Sequence, residues 1–467
     1  MLVGYSLRRV AIQDSSEKIG LRPLLIYAQA QTGLNLCATL LGLHLLYFYT
    51  DRKGLSPTLT GLAFFLALVL DAVTDPLVGN ISDRARFRNG RRRPFFVASI
   101  PMALCYYFLL SPPQLGAGLF VWFFGFYFLM LTSRKFYETA YGALMPELTL
   151  DYDERTKLAT FRQLCATIGD VSGALLPFAA SYLFARGTDF RVTGAVCAIV
   201  VAGGAMLAYG GLRERSEFAT RERSKLFASM KSVLSNRPFV ILLIATTLAV
   251  MAINIPTILL RFLAKYWYHD ENAAARWLIA YFVGSAISYP FWFRITVRIE
   301  KKPAFVVAMI ANALGSLCFL MLTPQSTLAL YGLMAFSGFA AIGIWVTQIS
   351  ASADVIEWDE ERTGQRQEGA YGGITSMSIK VAIAITMLLS GPILGWVGYR
   401  PGSAGLTPAA AENLRIVFAV GPASIYFVSA AVFSRYPITR ESHRAMRDRL
   451  AARAALAEEP RPAKSIA

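Results

Sequence analysis

Pro57–Ile81 reads PTLTGLAFFLALVLDAVTDPLVGNI, and Ala117–Leu131 reads AGLFVWFFGFYFLML. A helix needs roughly 20 mostly apolar residues to cross a bilayer, and blocks of this kind approach or exceed that length. No water reaches the backbone inside lipid, so such a block must be helical and satisfy its own hydrogen bonds. About twelve blocks recur, beginning near Leu24, Pro57, Pro94, Ala117, Leu158, Thr193, Phe239, Trp277, Pro303, Leu328, Tyr371 and Leu414. Of the 467 residues 55% are hydrophobic and 16% charged, whereas a soluble domain carries about 25% charged residues. The expected class is an all-α, multi-pass membrane protein embedded in a lipid bilayer.

The formal net charge of +16 raises the question of nucleic acid. The basic residues lie between apolar blocks rather than on one soluble domain, so they report topology and imply no nucleic-acid partner. The loop Arg84–Arg93 holds six arginines, and Arg213–Arg237 and Arg298–Lys302 are also basic. The opposite loops, Ser111–Gly116 and Thr323–Thr327, hold no Lys or Arg. The positive-inside rule places both termini and the central loop on the cytoplasmic side, and the expected location is the cytoplasmic (inner) membrane. The first apolar block is too long for a cleavable signal. The tail Glu441–Glu458 has the period of an amphipathic helix, which leaves a surface-lying helix and a solvated tail equally open. Cys37, Cys105, Cys165, Cys197 and Cys318 are scattered through apolar blocks with no metal-ligand spacing, so no bound metal is expected. His44, His269 and His443 are scattered too. No catalytic constellation emerges, and an enzyme is not expected.

An internal echo organises the chain. Asp75–Pro94 (DPLVGNISDRARFRNGRRRP) is echoed by Tyr289–Pro303 (YPFWFRITVRIEKKP), and Asp153–Thr156 (DERT) by Glu360–Thr363 (EERT). The expected division is a six-helix half over 1–212, a central loop over 213–238, a second half over 239–436 and a tail over 437–467. Parallel repeats of this kind belong to carriers that rock two halves about a central site. The Arg/Lys–acid loops are expected to latch the halves through charge pairs. The echo sets Tyr289 against Asp75 and Trp345 against Glu138. The first half therefore carries the carboxylates, and the second aromatics and Lys380.

Ionisable side chains in a span cost several kcal/mol (roughly 2.5–3.5 on insertion scales) and normally face the bundle interior. Asp71 and Asp75 share a helix face at i, i+4. Two carboxylates one turn apart need a metal cation, a proton or a basic partner. That is the logic of a coupling-cation site. The competing reading is a static ion pair with Lys380 or Lys135. Arg134, Lys135 and Glu138 lie in the fourth span, Asp170 in the fifth, Arg261 in the seventh and Lys380 in the eleventh. The roles of Asp170 and Arg261 stay open between structural and functional.

Five stretches carry a resemblance to a known family: Tyr47–Pro57 (YFYTDRKGLSP), Asp71–Pro94, Glu138–Arg162 (ETAYGALMPELTLDYDERTKLATFR), Glu357–Gly373 (EWDEERTGQRQEGAYGG) and Ser378–Lys380 (SIK). They resemble the glycoside–pentoside–hexuronide:cation symporters, the melibiose permease family of the major facilitator superfamily, over roughly Leu21 to Phe433. The resemblance implies a twelve-helix fold of two six-helix halves and cation-coupled symport of a sugar or glycoside. It implies Asp71 and Asp75 as cation-site carboxylates, and Glu138, Arg162 and Lys380 as substrate-site residues. Tyr141 and Trp345 are the candidate aromatic platforms.

Two departures from the family pattern matter. Where relatives can place an acid on the first helix this chain has Asn35, which donates and accepts but makes weaker bonds to hydroxyls. Where sodium-using relatives place a hydroxyl one turn before the fourth-helix acid, this chain has Lys135. Arg134, Lys135 and Lys380 balance Asp71, Asp75 and Glu138, so the expected coupling ion is H⁺ rather than Na⁺. The same basic residues favour an acidic glycoside, although Arg134 is also placed to pair with Glu138 at i+4. The expected partners are therefore a small polar solute and a coupling cation, with the carrier acting as a monomer. An amphiphile or lysolipid carrier on the same fold stays open, and a non-transporting membrane sensor is the remote reading.

Overall fold

The computed structural model describes residues 19–84, 93–148, 152–184, 188–212, 233–363, 368–400, 406–446 and 448–449. Twelve α-helices follow one another among these residues. They are α1 (Leu21–Leu40), α2 (Pro57–Arg84), α3 (Ser99–Leu110), α4 (Leu119–Leu148), α5 (Tyr152–Leu183) and α6 (Asp189–Gly211), then α7 (Arg237–Tyr266), α8 (Ala273–Ile299), α9 (Lys301–Cys318), α10 (Thr327–Thr363), α11 (Glu368–Val397) and α12 (Pro408–Phe433). Among the described residues eleven helical stretches have the length and composition to cross a membrane, and α2 adds the shorter apolar stretch Pro57–Ala72. Apolar side chains such as Val121, Ile199 and Trp396 stand exposed on these spans. In water they would be a liability, whereas in a bilayer they meet lipid.

Helix starts follow capping chemistry as well as hydropathy. α12 begins at Pro408, six residues ahead of the apolar onset at Leu414. Thr407 accepts a hydrogen bond from the Ala410 N–H at 3.3 Å, and Pro408 takes the first-turn position where its missing N–H costs nothing. At its C-terminal end α1 runs on into two π-helical segments, Leu41–Leu45 and Phe48–Arg52.

The residues group into two compact units. The first draws on Met1–Leu40, Val73–Leu115 and Gly125–Arg221; the second on Leu41–Ala72, Gly116–Phe124 and Glu222–Ala467. In the first unit α1 lies along α5 and α6, and α3 along α6. In the second, α8 lies along α10 and α7 along α12, around a core that includes Phe239, Trp292, Phe305 and Phe433. The α8–α10 approach depends on glycine: a Cβ on Gly338 would sit 2.0 Å from the Tyr281 carbonyl oxygen. Small residues let helix backbones touch where lipid supplies no hydrophobic drive for association.

The tail is helical at Arg440–Met446. His443 Nε2 lies 3.0 Å from Glu357 Oε2 and 3.3 Å from Asp354 Oδ1, and Arg449 pairs with Glu361, so the tail is tied to the end of α10. The remainder of the expected amphipathic helix, the arginine loop at 85–92 and the central loop at 213–232 lie outside the described residues. So do the side chains of Asp153 and Arg155, on which the expected cytoplasmic latch depends.

Candidate functional site

In the first unit a polar stripe runs along α1. Gln31, Asn35 and Thr39 recur at i, i+4 and i+8, which puts them on one face of the helix. α5 meets this face with Arg162 and Asp170. Arg162 Nε donates to Gln31 Oε1 at 2.9 Å, and Gln31 Nε2 donates to Asn35 Oδ1 at 2.6 Å. Asn35 Nδ2 then donates to both oxygens of Asp170, at 3.1 Å each, and Thr39 Oγ1 donates to Asp170 Oδ1 at 2.7 Å. The chain of donors runs one way, from the guanidinium to the carboxylate, and it fixes the orientation of both amides.

Close packing sets the register of this stripe. A Cβ on Gly169 would fall 2.4 Å from the Thr32 carbonyl oxygen and 2.9 Å from Asn35 Cβ. One on Gly173 would fall 2.2 Å from the Leu36 carbonyl oxygen. Only hydrogen fits at either place, so α5 presses onto α1 and brings Asp170 within reach of Asn35 and Thr39. Asp170 stands at the middle of the span Lys157–Leu183 and is half-buried. Among the described residues no Lys, Arg or His comes within ion-pair distance of it.

The aromatic candidate in this unit is occupied. Tyr141 is fully buried and stacked on Tyr27, with ring centroids 4.6 Å apart and planes at 17°. Each hydroxyl donates to the other residue's carbonyl oxygen, at 3.1 and 3.3 Å. The Arg162 guanidinium lies over the Tyr141 ring at 5.4 Å. In this conformation Tyr141 offers no free face to a ligand. Glu138 is half exposed and pairs with Arg134 at 3.3 Å, one turn back on α4. Lys135 is half-buried on the same helix.

In the second unit Lys380 of α11 donates to Asp71 of α2 at 2.7 Å, with side chains 23% and 5% exposed. The helices meet closely beside this pair, since a Cβ on Gly391 would sit 2.4 Å from Thr58 Cα. The backbone of Asp75 lies in α2; its side chain lies outside the described residues. Trp345 is half-buried on α10 and is not in ring contact with another aromatic among the described residues.

A second charged cluster of this unit joins the α1–α2 turn to α7 and the α7–α8 turn. Lys265 lies 2.5 Å from Asp51, which also accepts from the hydroxyls of Tyr266 and, at 3.3 Å, Tyr399. Glu271 takes Arg52 at 2.7 Å, the Tyr47 hydroxyl at 3.0 Å and Arg261 at 3.5 Å. Arg261 in turn lies 3.2 Å from Nδ1 of the buried His44. Burial pushes the Asp51 carboxyl up, but the Lys265 ammonium and Tyr266 hydroxyl outweigh it and hold it below the usual carboxylate range. Burial acts on Glu271 in the same way, and Arg52 and Arg261 outweigh it, so this carboxyl is lowered as well. Of these residues only Arg261 stands out in a search for charges within spans. The sequence signal was the clustering of acids, bases and tyrosines in YFYTDR, which follows α1, and in RFLAKYWYHDE, which closes α7 and opens the turn after it.

Comparison with known proteins gives a consistent picture. The profile of a family described as MFS/sugar transport protein matches residues 26–440. The chain is 28% identical over 407 residues to the "Putative glycoside/cation symporter YagG" of Escherichia coli (strain K12), covering 85% of this chain and 87% of the relative. It is 28% identical over 436 residues to a "Putative sulfoquinovose importer" of the same organism, covering 88% and 90%. In three dimensions it is similar to the nucleoside transporter NupG, with a TM-score of 0.63 at 15% identity, over 90% of this chain and 100% of that one.

Proposed function

The chain belongs to the MFS/sugar transport protein family, and on that premise we propose that it carries a sugar or glycoside across the cytoplasmic membrane by cation-coupled symport. The fold is the twelve-helix major facilitator fold, and the protein crosses the membrane many times. Both termini are assigned to the cytoplasmic side from the loop charges. The observation that carries the reading is the stripe Gln31–Asn35–Thr39 with Arg162 and Asp170. Amide, hydroxyl and carboxylate groups near the middle of apolar spans, with the Arg162 guanidinium toward the start of its span, suit a ligand made of hydroxyl groups. Carriers of this architecture hold their substrates near the bilayer midplane.

The coupling ion in this reading is the proton. The Lys380 ammonium, 2.7 Å from Asp71, already supplies the positive charge that a sodium ion would bring to that carboxylate. A proton delivered to Asp71 neutralises that carboxylate and turns the balanced pair into a net positive charge on Lys380, which weakens the bond between them, and loss of that proton restores it. Two arrangements of α2 against α11 then follow the state of one proton. Anionic glycosides come first as substrates. Arg162 stands in the stripe, and one relative is named for sulfoquinovose, a sugar carrying a sulfonate.

Uptake by the reconstituted protein tests this reading, with neutral and anionic glycosides offered under an imposed pH gradient or an imposed sodium gradient. The expected result is accumulation of a glycoside driven by the pH gradient alone. Uptake driven by sodium and indifferent to the pH gradient would sink the proton assignment. Transport of a lysolipid with no glycoside moving would favour the amphiphile reading. Asp75→Asn is expected to abolish accumulation and to spare exchange of substrate across the membrane.

A further inference from the structure

Asp170 is the carboxylate with the least expected surroundings. It lies at the centre of its span and yet is held by neutral donors, the amide of Asn35 and the hydroxyl of Thr39. A carboxylate with that address normally recruits a cation, because neutral donors only partly replace the water it has left. The other described carboxylates of the candidate sites have done so: Asp71 has Lys380, and Glu138 has Arg134. Asp170 is also half-buried rather than sealed.

The hydrogen bonds show how much of it is free. An ionised carboxylate offers about four acceptor positions. On Oδ1 two are taken, by Asn35 Nδ2 and Thr39 Oγ1. On Oδ2 one is taken, by Asn35 Nδ2. The group is thus fixed in orientation by bonds on both oxygens, with one acceptor position open on Oδ2. Asn35 cannot turn to leave it, since its own oxygen is engaged by Gln31 and, through Gln31, tied to Arg162. Gly169 and Gly173 keep the two helices pressed together beneath it.

We infer that Asp170, presented by Asn35 and Thr39, is a substrate-binding carboxylate that accepts one hydroxyl hydrogen of the transported sugar. The inference rests on the sugar reading above and assigns it a further contact. Asn35 then acts as a positioning residue that aims the acid, rather than as the group that grips the substrate alone. The anionic partner for the sugar hydroxyl comes from α5, across the helix contact from the polar face of α1. One open acceptor position means one hydroxyl, and this gives the inference a sharp signature.

The test is the affinity of the purified full-length carrier for its best glycoside and for the set of analogues that each lack one hydroxyl, compared between wild type and Asp170→Asn. The expected loss for the parent glycoside is about 10- to 100-fold, the value of one hydrogen bond to a charged group. For one analogue, the one missing the gripped hydroxyl, wild type and variant should bind alike. An equal loss for every analogue would mean that Asp170 only shapes the site, and no loss at all would mean that it does not face the ligand; either result overturns the inference. Should Asp170→Asn fail to fold, Thr39→Val removes a single bond from the carboxylate. It should weaken the parent glycoside by about two- to fivefold and leave that same analogue unchanged, and an equal effect on both would again overturn it. If wild type binds no sugar, the sugar reading itself fails together with this inference. A variant effect spread evenly over the analogues removes the inference alone.

Discussion

Asp71 and Asp170 are both carboxylates set in apolar helices, and they have been made comfortable in opposite ways. Asp71 is nearly sealed and pairs with an ammonium 2.7 Å away, so its charge is cancelled within the protein. Asp170 is half-buried, pinned by an amide and a hydroxyl, and its charge is left to whatever comes next. A cancelled charge is suited to switching, because one proton changes the whole balance of the pair. A pinned but uncancelled charge is suited to reading a ligand, because its geometry is set before the ligand arrives.

The largest effect should come from breaking the cancelled pair. Lys380→Met removes the ammonium that lies 2.7 Å from the buried Asp71 and should cost about 3–5 kcal/mol. Thermal or denaturant unfolding in detergent reads this directly. Adding Asp71→Asn to Lys380→Met should recover most of the loss, since removing both charges of a buried pair is often close to neutral. If the double variant is as unstable as the single one, the charge balance is not what holds α2 to α11 there.

A smaller effect is expected where the pinned carboxylate is positioned. Gly173→Ala places a methyl group 2.2 Å from the Leu36 carbonyl oxygen, with backbone rather than a flexible side chain in the way. The helices must separate, at a cost of about 1–3 kcal/mol. Glycoside affinity should fall with stability, because Asn35 and Thr39 move off Asp170. Unchanged affinity in a destabilised variant would separate the glycine contact from the site.

The smallest effect concerns pH, and here the charged cluster at the α1–α2 turn supplies the contrast. The Asp51 and Glu271 carboxyls are held below their ordinary values, so their contribution is fully present above the unfolded-state values and is lost only as pH falls through the lowered ones. Unperturbed carboxyls titrate at about 4. Amide hydrogen exchange at residues 47–55, corrected for intrinsic rates, should therefore stay flat between about pH 5 and 8 and rise only below about 4. A change near neutrality would overturn the assignment to Asp51 and Glu271.

The spans were legible because each is a local property: about twenty apolar residues suffice, whatever lies elsewhere in the chain. Arg134 with Glu138 was legible for the same reason, one turn of a single helix, and the pair forms at 3.3 Å. Lys380 and Asp71 were open to guesswork, since charges within apolar spans are few and each needs a partner. The fate of Tyr141 was not legible. An aromatic beside a candidate site reads equally well as a platform or as packing, and only Tyr27, 114 residues away in sequence, decided for packing in this conformation. The polar face Gln31–Asn35–Thr39 was there to be read by its spacing, but nothing local said what would face it.

The sequence by itself determined that this chain crosses a membrane many times, that it is helical, and which few ionisable groups it commits to apolar surroundings. Burial costs and helical periodicity act within one segment, so composition and spacing carry them in full. Only the tertiary structure decided which of those groups are cancelled and which are left open. Asn35 meets Asp170 across 135 residues, and Lys265 meets Asp51 across 214. Such pairings depend on how closely two helices approach and in what register. In the α1–α5 contact, that approach is set by two glycines whose missing side chains no pattern of charge or hydropathy reports.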